Sequence, residues 1–201
     1  MKHIFERGNN EKERTLLLLH GTGGTEHDLL PLANMIDEVA NVLSVRGNVL
    51  ENGMPRFFRR LSEGVFDEED LIDRTKELKQ FLDEAAQTYA FNRQQVFAIG
   101  YSNGANIAAS LLFHYENVLA GAMLHHPMVP RKNIELPNLA DTPIFIGAGT
   151  NDFICPAEET EQLDALLSNA GANVSVHWEN HGHQLTSTEI KAAKKWYEQL
   201  G

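Results

Sequence analysis

Val96-Phe97-Ala98-Ile99-Gly100-Tyr101-Ser102-Asn103-Gly104 passes from a strand pattern to the start of a helix. The first four residues are apolar and rich in strand formers. Beyond them Ala105, Ala108, Leu111, Leu112 and Tyr115 recur at helical spacing. Between the two patterns lies G-x-S-x-G. A serine on a tight strand-to-helix turn has its hydroxyl pushed out of the sheet, and the flanking glycines remove Cβ atoms that would collide there. Alone, the pentapeptide also describes a small turn that only caps a helix. In this setting it makes Ser102 a candidate nucleophile and the chain a candidate serine hydrolase.

Outward from this point, strand and helix patterns alternate along the chain. Thr15–Leu19 is a continuous apolar run of the kind found in central parallel strands. Residues 27–40 place Leu29, Ala33, Ile36 and Ala40 on one helical face, and Val42–Val45 reads as the next strand. The longest helix is expected over 67–90, with Leu71, Thr75, Leu78, Leu82, Ala85 and Tyr89 inward. Strands follow at Ala120–Leu124, Ile144–Ile146 and Val174–Trp178, with helices over 156–170 and through Ile190, Ala193, Tyr197 and Leu200. Such alternation predicts an α/β fold, a mostly parallel sheet with helices on both faces and its chemistry at the carboxyl ends of the strands.

The 201 residues suit a single domain over 1–201, and no repeat or Pro/Ser-rich linker divides them. Lys and Arg number 17 against 28 Asp and Glu, a net charge of −11. That balance argues against nucleic-acid and anionic-membrane partners, which need positive surface. The start lacks an apolar signal region, no run approaches a membrane span, and Cys155 stands alone, so a cytoplasmic location is expected. The sequence is compatible with a homodimer and does not fix the oligomeric state.

A serine hydroxyl needs a base, and the base needs an orienting acid, here in the chain order Ser, Asp, His. Asp152 lies past the carboxyl end of the 144–146 strand, whereas Asp141 precedes that strand and falls at the opposite edge. His183 follows the 174–178 strand, and Gly182 gives the turn freedom to swing its ring; His181 is the alternative. In Leu19-His20-Gly21-Thr22-Gly23-Gly24, Thr22 is the candidate for one backbone N–H of an oxyanion hole, and Asn103 for the other. The loop lacks the G-x-G-x-x-G spacing and the lysine of nucleotide sites. His125-His126 and His181-x-His183 lack H-E-x-x-H spacing, so no metal is expected, and Cys155 reads as a packed small residue.

These motifs, with Leu18-Leu19-His20-Gly21-Thr22-Gly23-Gly24, Asn151-Asp152 and Gly182-His183, resemble the small α/β-hydrolase carboxylesterases of the phospholipase/carboxylesterase and acyl-protein thioesterase group. The resemblance covers essentially the whole chain. It implies Ser102 as nucleophile, Asp152 as acid, His183 as base, and Thr22 and Asn103 at the oxyanion hole. Residues 46–60, Arg46 to Arg60, further resemble a bacterial subgroup linked to hydroquinone and quinone resistance. Acyl-protein thioesterases usually carry Gln where this chain has Asn103, and their longer loops are trimmed here. Related dienelactone hydrolases use cysteine where this chain has serine.

The expected activity is therefore cleavage of a small-molecule carboxylic ester through an acyl-enzyme, with no large lid and no metal or organic cofactor required. Thioesterase or lysophospholipase activity, or a non-catalytic sensor of quinone-like small molecules, are the alternatives. The stretch 47–66 has no clear periodicity and is long for a structureless loop, which makes it the expected specificity element. Met54, Phe57, Phe58 and Phe66 are candidates to line an acyl or aromatic pocket, with Arg56, Arg59 or Arg60 receiving a carboxylate. Alternatively the phenylalanines are core and the arginines pair with Asp67, Glu68, Glu69 and Asp70.

Overall fold

The computed structural model describes residues 1–9 and 14–201. In chain order it runs β1 (His3–Glu6), β2 (Thr15–Leu19), α1 (Leu30–Ile36) and β3 (Asn41–Val45). Two small hairpins follow, β4 (Val49–Glu51) with β5 (Met54–Arg56), and β6 (Arg60–Ser62) with β7 (Val65–Phe66). Then come α2 (Glu68–Tyr89), β8 (Val96–Tyr101), α3 (Asn103–His114) and β9 (Gly121–His125). β10 (Pro143–Gly149), α4 (Ala157–Asn169), β11 (Asn173–Glu179) and α5 (Ser187–Glu198) complete the chain.

The main sheet has seven strands in the order β1-β3-β2-β8-β9-β10-β11. All neighbours are parallel except β1, which lies antiparallel on β3 at one edge. Alternation within the apolar strands assigns each residue to a face. Leu17, Leu19, Ala98, Leu124 and Ile146 point into one core with residues of α2, α3 and α4. Leu16, Leu18, Ile99, Met123 and Phe145 point into the other with residues of α1 and α5. Each such leucine or phenylalanine contributes about 1.5–3 kcal/mol by leaving water, so both layers are anchored to one sheet.

Helix ends follow the local chemistry. Asp67 accepts a hydrogen bond from the Asp70 N–H, and the acidic first turn of α2 matches the helix dipole. The helix expected over 27–40 is shorter. Asp37 Oδ1 takes the N–H groups of Val39 and Ala40, offering the backbone a turn in place of another helical one. The 47–66 stretch is two hairpins whose arms of two or three residues are too short to show a period. Among the described residues no helix is long and apolar enough to cross a membrane.

Candidate active site

Ser102 sits between the end of β8 and the start of α3 with φ +51° and ψ −114°. A non-glycine residue held there costs on the order of 1–3 kcal/mol and persists only where its surroundings enforce it. Its N–H donates to the His125 carbonyl at 2.9 Å, and its carbonyl accepts from Asn106 N–H at 2.9 Å. The two glycines are required by close approach. A Cβ on Gly104 would lie 1.9 Å from the Leu19 carbonyl oxygen, and one on Gly100 2.6 Å from the Ala105 backbone. Helix α3 therefore starts hard against the end of β2, and the serine is the residue left projecting.

Asp152 follows β10 and is buried. Its Oδ1 accepts the N–H groups of Ile154 and Cys155, both at 2.9 Å. Burial opposes its charge, but the Cys155 N–H, His183 and His126 outweigh it and hold its carboxyl below the usual range. His183 lies between β11 and α5, and its carbonyl accepts the Tyr101 hydroxyl. Its Nδ1 is 2.7 Å from Asp152 Oδ2 and its Nε2 is 2.8 Å from Ser102 Oγ. A carboxylate only accepts, so Nδ1 carries the proton and Nε2 is free to accept from the serine hydroxyl.

A cavity of about 40 Å3 opens beside Ser102, lined in part by Thr22, Asn103, Phe66, Ile154, Arg56 and Arg60. Asn103 is the first residue of α3, so no intrahelical carbonyl takes its N–H. Larger cavities, of about 650 and 620 Å3, lie on other faces of the molecule and contain neither Ser102 nor His183. Met54 packs over the next turn, with its sulfur 3.7 Å from the position a Gly23 Cβ would take. Phe57 and Phe58 are buried in the core at 1% and 0% exposure and do not line the cavity. The Arg59 side chain is 61% exposed and pairs with Asp67 at 3.0 Å. Arg56 and Arg60 instead meet on Glu51, at 3.1 and 2.9 Å.

Several supporting residues meet partners that the sequence does not reveal. His20 Nδ1 donates to the Gly21 carbonyl at 2.6 Å while its Nε2 accepts the Gly47 N–H at 3.0 Å, tying the Thr22 turn to the hairpins. Burial lowers the His20 pKa, which suits that neutral tautomer. His126 Nδ1 reaches Asp152 Oδ2 at 2.9 Å from behind, and its Nε2 reaches Glu189 at 3.1 Å. The adjacent histidines were visible in the sequence; their partners, 26 and 63 residues away, were not. His126, Asp152 and His183 bring possible ligand atoms within 4.8 Å of one another. Both imidazoles approach one carboxylate oxygen at N–H···O distances, the geometry of a hydrogen-bonded network.

Residues 2–200 match the family model described as phospholipase/carboxylesterase. The chain is 62% identical over 199 residues to the Bacillus subtilis (strain 168) protein MhqD, named as a hydrolase, covering 99% of this chain and 98% of that one. It is 67% identical to the Bacillus cereus carboxylesterase, with a TM-score of 0.99 over 100% of this chain and 95% of that crystal structure. The structure of YahD with malic acid is 31% identical, with a TM-score of 0.94 over 100% and 99% of the two chains. With its α/β-hydrolase sheet, this chain belongs to the phospholipase/carboxylesterase family and is an ester-cleaving hydrolase.

Proposed function

We propose that the chain is a single-domain serine esterase in which Ser102, His183 and Asp152 cleave small carboxylic esters through an acyl-enzyme. The observation that carries this reading is the continuous line Ser102 Oγ, His183 Nε2 and Nδ1, Asp152 Oδ2, with contacts of 2.8 and 2.7 Å. Ser102 Oγ attacks the ester carbonyl carbon while its proton passes to His183 Nε2. Asp152 holds the ring and stabilises the imidazolium. The backbone N–H groups of Thr22 and Asn103 receive the developing oxyanion. The C–O bond then breaks, and the alcohol leaves with the proton from His183. Water then gives a proton to His183 as its oxygen bonds to the acyl carbon; the bond from that carbon to Ser102 Oγ breaks, His183 returns the proton to Oγ, and the acid leaves.

The small cavity supports a short acyl group, since about 40 Å3 admits only a few heavy atoms. The YahD structure contains malic acid, a small dicarboxylic acid. Arg56 and Arg60 line the same cavity here, so short acyl groups ending in a polar or carboxylate group belong in the first substrate panel.

The test is fluorophosphonate labelling read by intact mass, on wild type, Ser102→Ala and His183→Ala. One adduct per chain is expected on wild type, none on Ser102→Ala, and labelling slowed by at least about 1,000-fold in His183→Ala. Folded wild-type protein that takes no label would overturn the reading and favour a non-catalytic binder of small molecules.

A further inference from the structure

The hydrogen-bonded line does not stop at Asp152. Behind it stands His126, then Glu189 of α5, then His125 of β9. Glu189 Oε1 lies 2.5 Å from His125 Nδ1, and Glu189 Oε2 lies 3.1 Å from His126 Nε2. Neither histidine is more than 1% exposed, and Glu189 is fully buried. Both ring nitrogens of His126 therefore face carboxylate oxygens, which only accept. Two ionised carboxylates leave one protonation state that satisfies both contacts, the imidazolium with Nδ1–H on Asp152 and Nε2–H on Glu189.

The fold makes room for this pair at evident cost. A Cβ on Gly147 would fall 2.0 Å from Glu189 Oε1, so a glycine in β10 creates the space for the carboxylate. His126 is held in the left-handed region, at φ +53°, with its N–H on the Gly147 carbonyl at 2.7 Å. Well-packed apolar residues commonly replace a buried ion pair without loss of stability, so stability alone does not account for such a pair.

We propose that His126, kept charged by Glu189, is a positioning residue for the esterase reaction: it fixes Asp152 and offsets part of its charge, and so sets how strongly Asp152 supports His183. The inference rests on the serine-esterase reading above. Asp152 Oδ2 receives His183 from one side and His126 from the other, at 2.7 and 2.9 Å. The two rings are 5.3 Å apart, and His126 stands between Asp152 and Glu189. The positive member of the rear pair thus contacts Asp152 directly, and the negative member lies behind it.

The protonation states agree. Burial works against a charge on His126, but the hydrogen bonds and charges of Glu189 and Asp152 outweigh it and raise its pKa. Burial likewise opposes ionisation of Glu189, and His125 and His126 outweigh it, pulling that carboxyl well down. The other titratable groups facing His126 are Tyr101, 6.1 Å away ring to ring, and Cys155, whose thiol donates to the His126 carbonyl at 3.2 Å. Burial raises the pKa of both, so neither adds charge near neutrality.

Glu189→Gln separates the charge from the hydrogen bonds. A glutamine there can donate to His126 Nε2 and accept from His125 Nδ1, leaving His126 neutral with its Nδ1–H still on Asp152. With the full charge of Asp152 no longer offset, the acid limb of the rate of fluorophosphonate labelling is expected to move up by about one pH unit. His126→Asn, which keeps a donor toward Asp152 and tolerates the left-handed backbone, is expected to shift it the same way. In wild type, nitrogen NMR of the His126 ring should show both nitrogens protonated at neutral pH, a readout that needs no variant to fold. A neutral His126 in wild type, or an unmoved acid limb in a folded Glu189→Gln, overturns the proposal. Wild-type protein that takes no label at any pH instead overturns the serine-esterase reading beneath it.

Discussion

At the scale of single residues, the site is governed by atoms that are missing as much as by those present. Gly104 has no space for a methyl group because the Leu19 carbonyl oxygen occupies it. Backbone cannot rotate aside as a side chain can, so Gly104→Ala should cost more than the roughly 1–3 kcal/mol of ordinary overpacking. Gly53 is the control: it has φ +82° with nothing among the described residues within 4 Å, so Gly53→Ala meets only backbone strain, about 1 kcal/mol. Urea unfolding of the two variants checks this, and equal losses would show that close approach is not what holds Gly104. Ser102, Asp152 and His183 were legible as candidates because each follows a strand and is marked by a local cue, a glycine or the end of an apolar run. His20, His126 and Glu189 were not, because their roles arise from side chains that meet only when the sheet and α5 come together.

At the scale of elements, long periodic segments were legible and short ones were not. The inner stripe of α2 is buried from Leu71 to Ala85, as its spacing predicts, because a helix of 22 residues repeats its pattern several times. Strand β1 and the arms of the hairpins, with four residues or fewer, repeat nothing. What joins the hairpins is a charge cluster. Glu51 of β4 accepts from Arg56 of β5 and Arg60 of β6, and the Arg56 side chain is only 4% exposed. Glu51→Gln keeps the shape but removes the charge opposing two guanidinium groups, one of them buried. A loss of about 2 kcal/mol is expected, the scale of a charged hydrogen bond. It should be felt locally, as faster amide hydrogen exchange across 49–66 with the central strands unchanged. Exchange that rises equally in β8 and β9 would mean that the cluster supports the sheet rather than the hairpins.

At the scale of the whole molecule, the buried charges act together through pH. Glu26 bonds Lys2 and Arg46, joining the start of the chain to the end of β3. Burial opposes its charge, but its backbone hydrogen bond and those two cations outweigh it and pull it down to about 2. Glu189 is pulled down as well, by His125 and His126 against the cost of burial. A carboxylate with a depressed folded pKa contributes stability that is complete above its unfolded value, about 4.3, and is lost as pH falls through the folded value. His126 has the opposite sign: its raised pKa contributes fully below about 6.5, and that contribution is lost as pH rises through its folded value. The His126–Glu189 pair therefore stabilises the fold most in the window between the two limits. Thermal unfolding followed from pH 3 to pH 9 should show a wild-type plateau with a fall on both sides. Glu26→Gln removes only an acid-side contribution, so its curve should flatten below about pH 4 and run parallel to wild type above it. Glu189→Gln, which frees His126 from its charge as well, should flatten both flanks. Should Glu189→Gln flatten only the acid flank, His126 would not be charged in the folded protein.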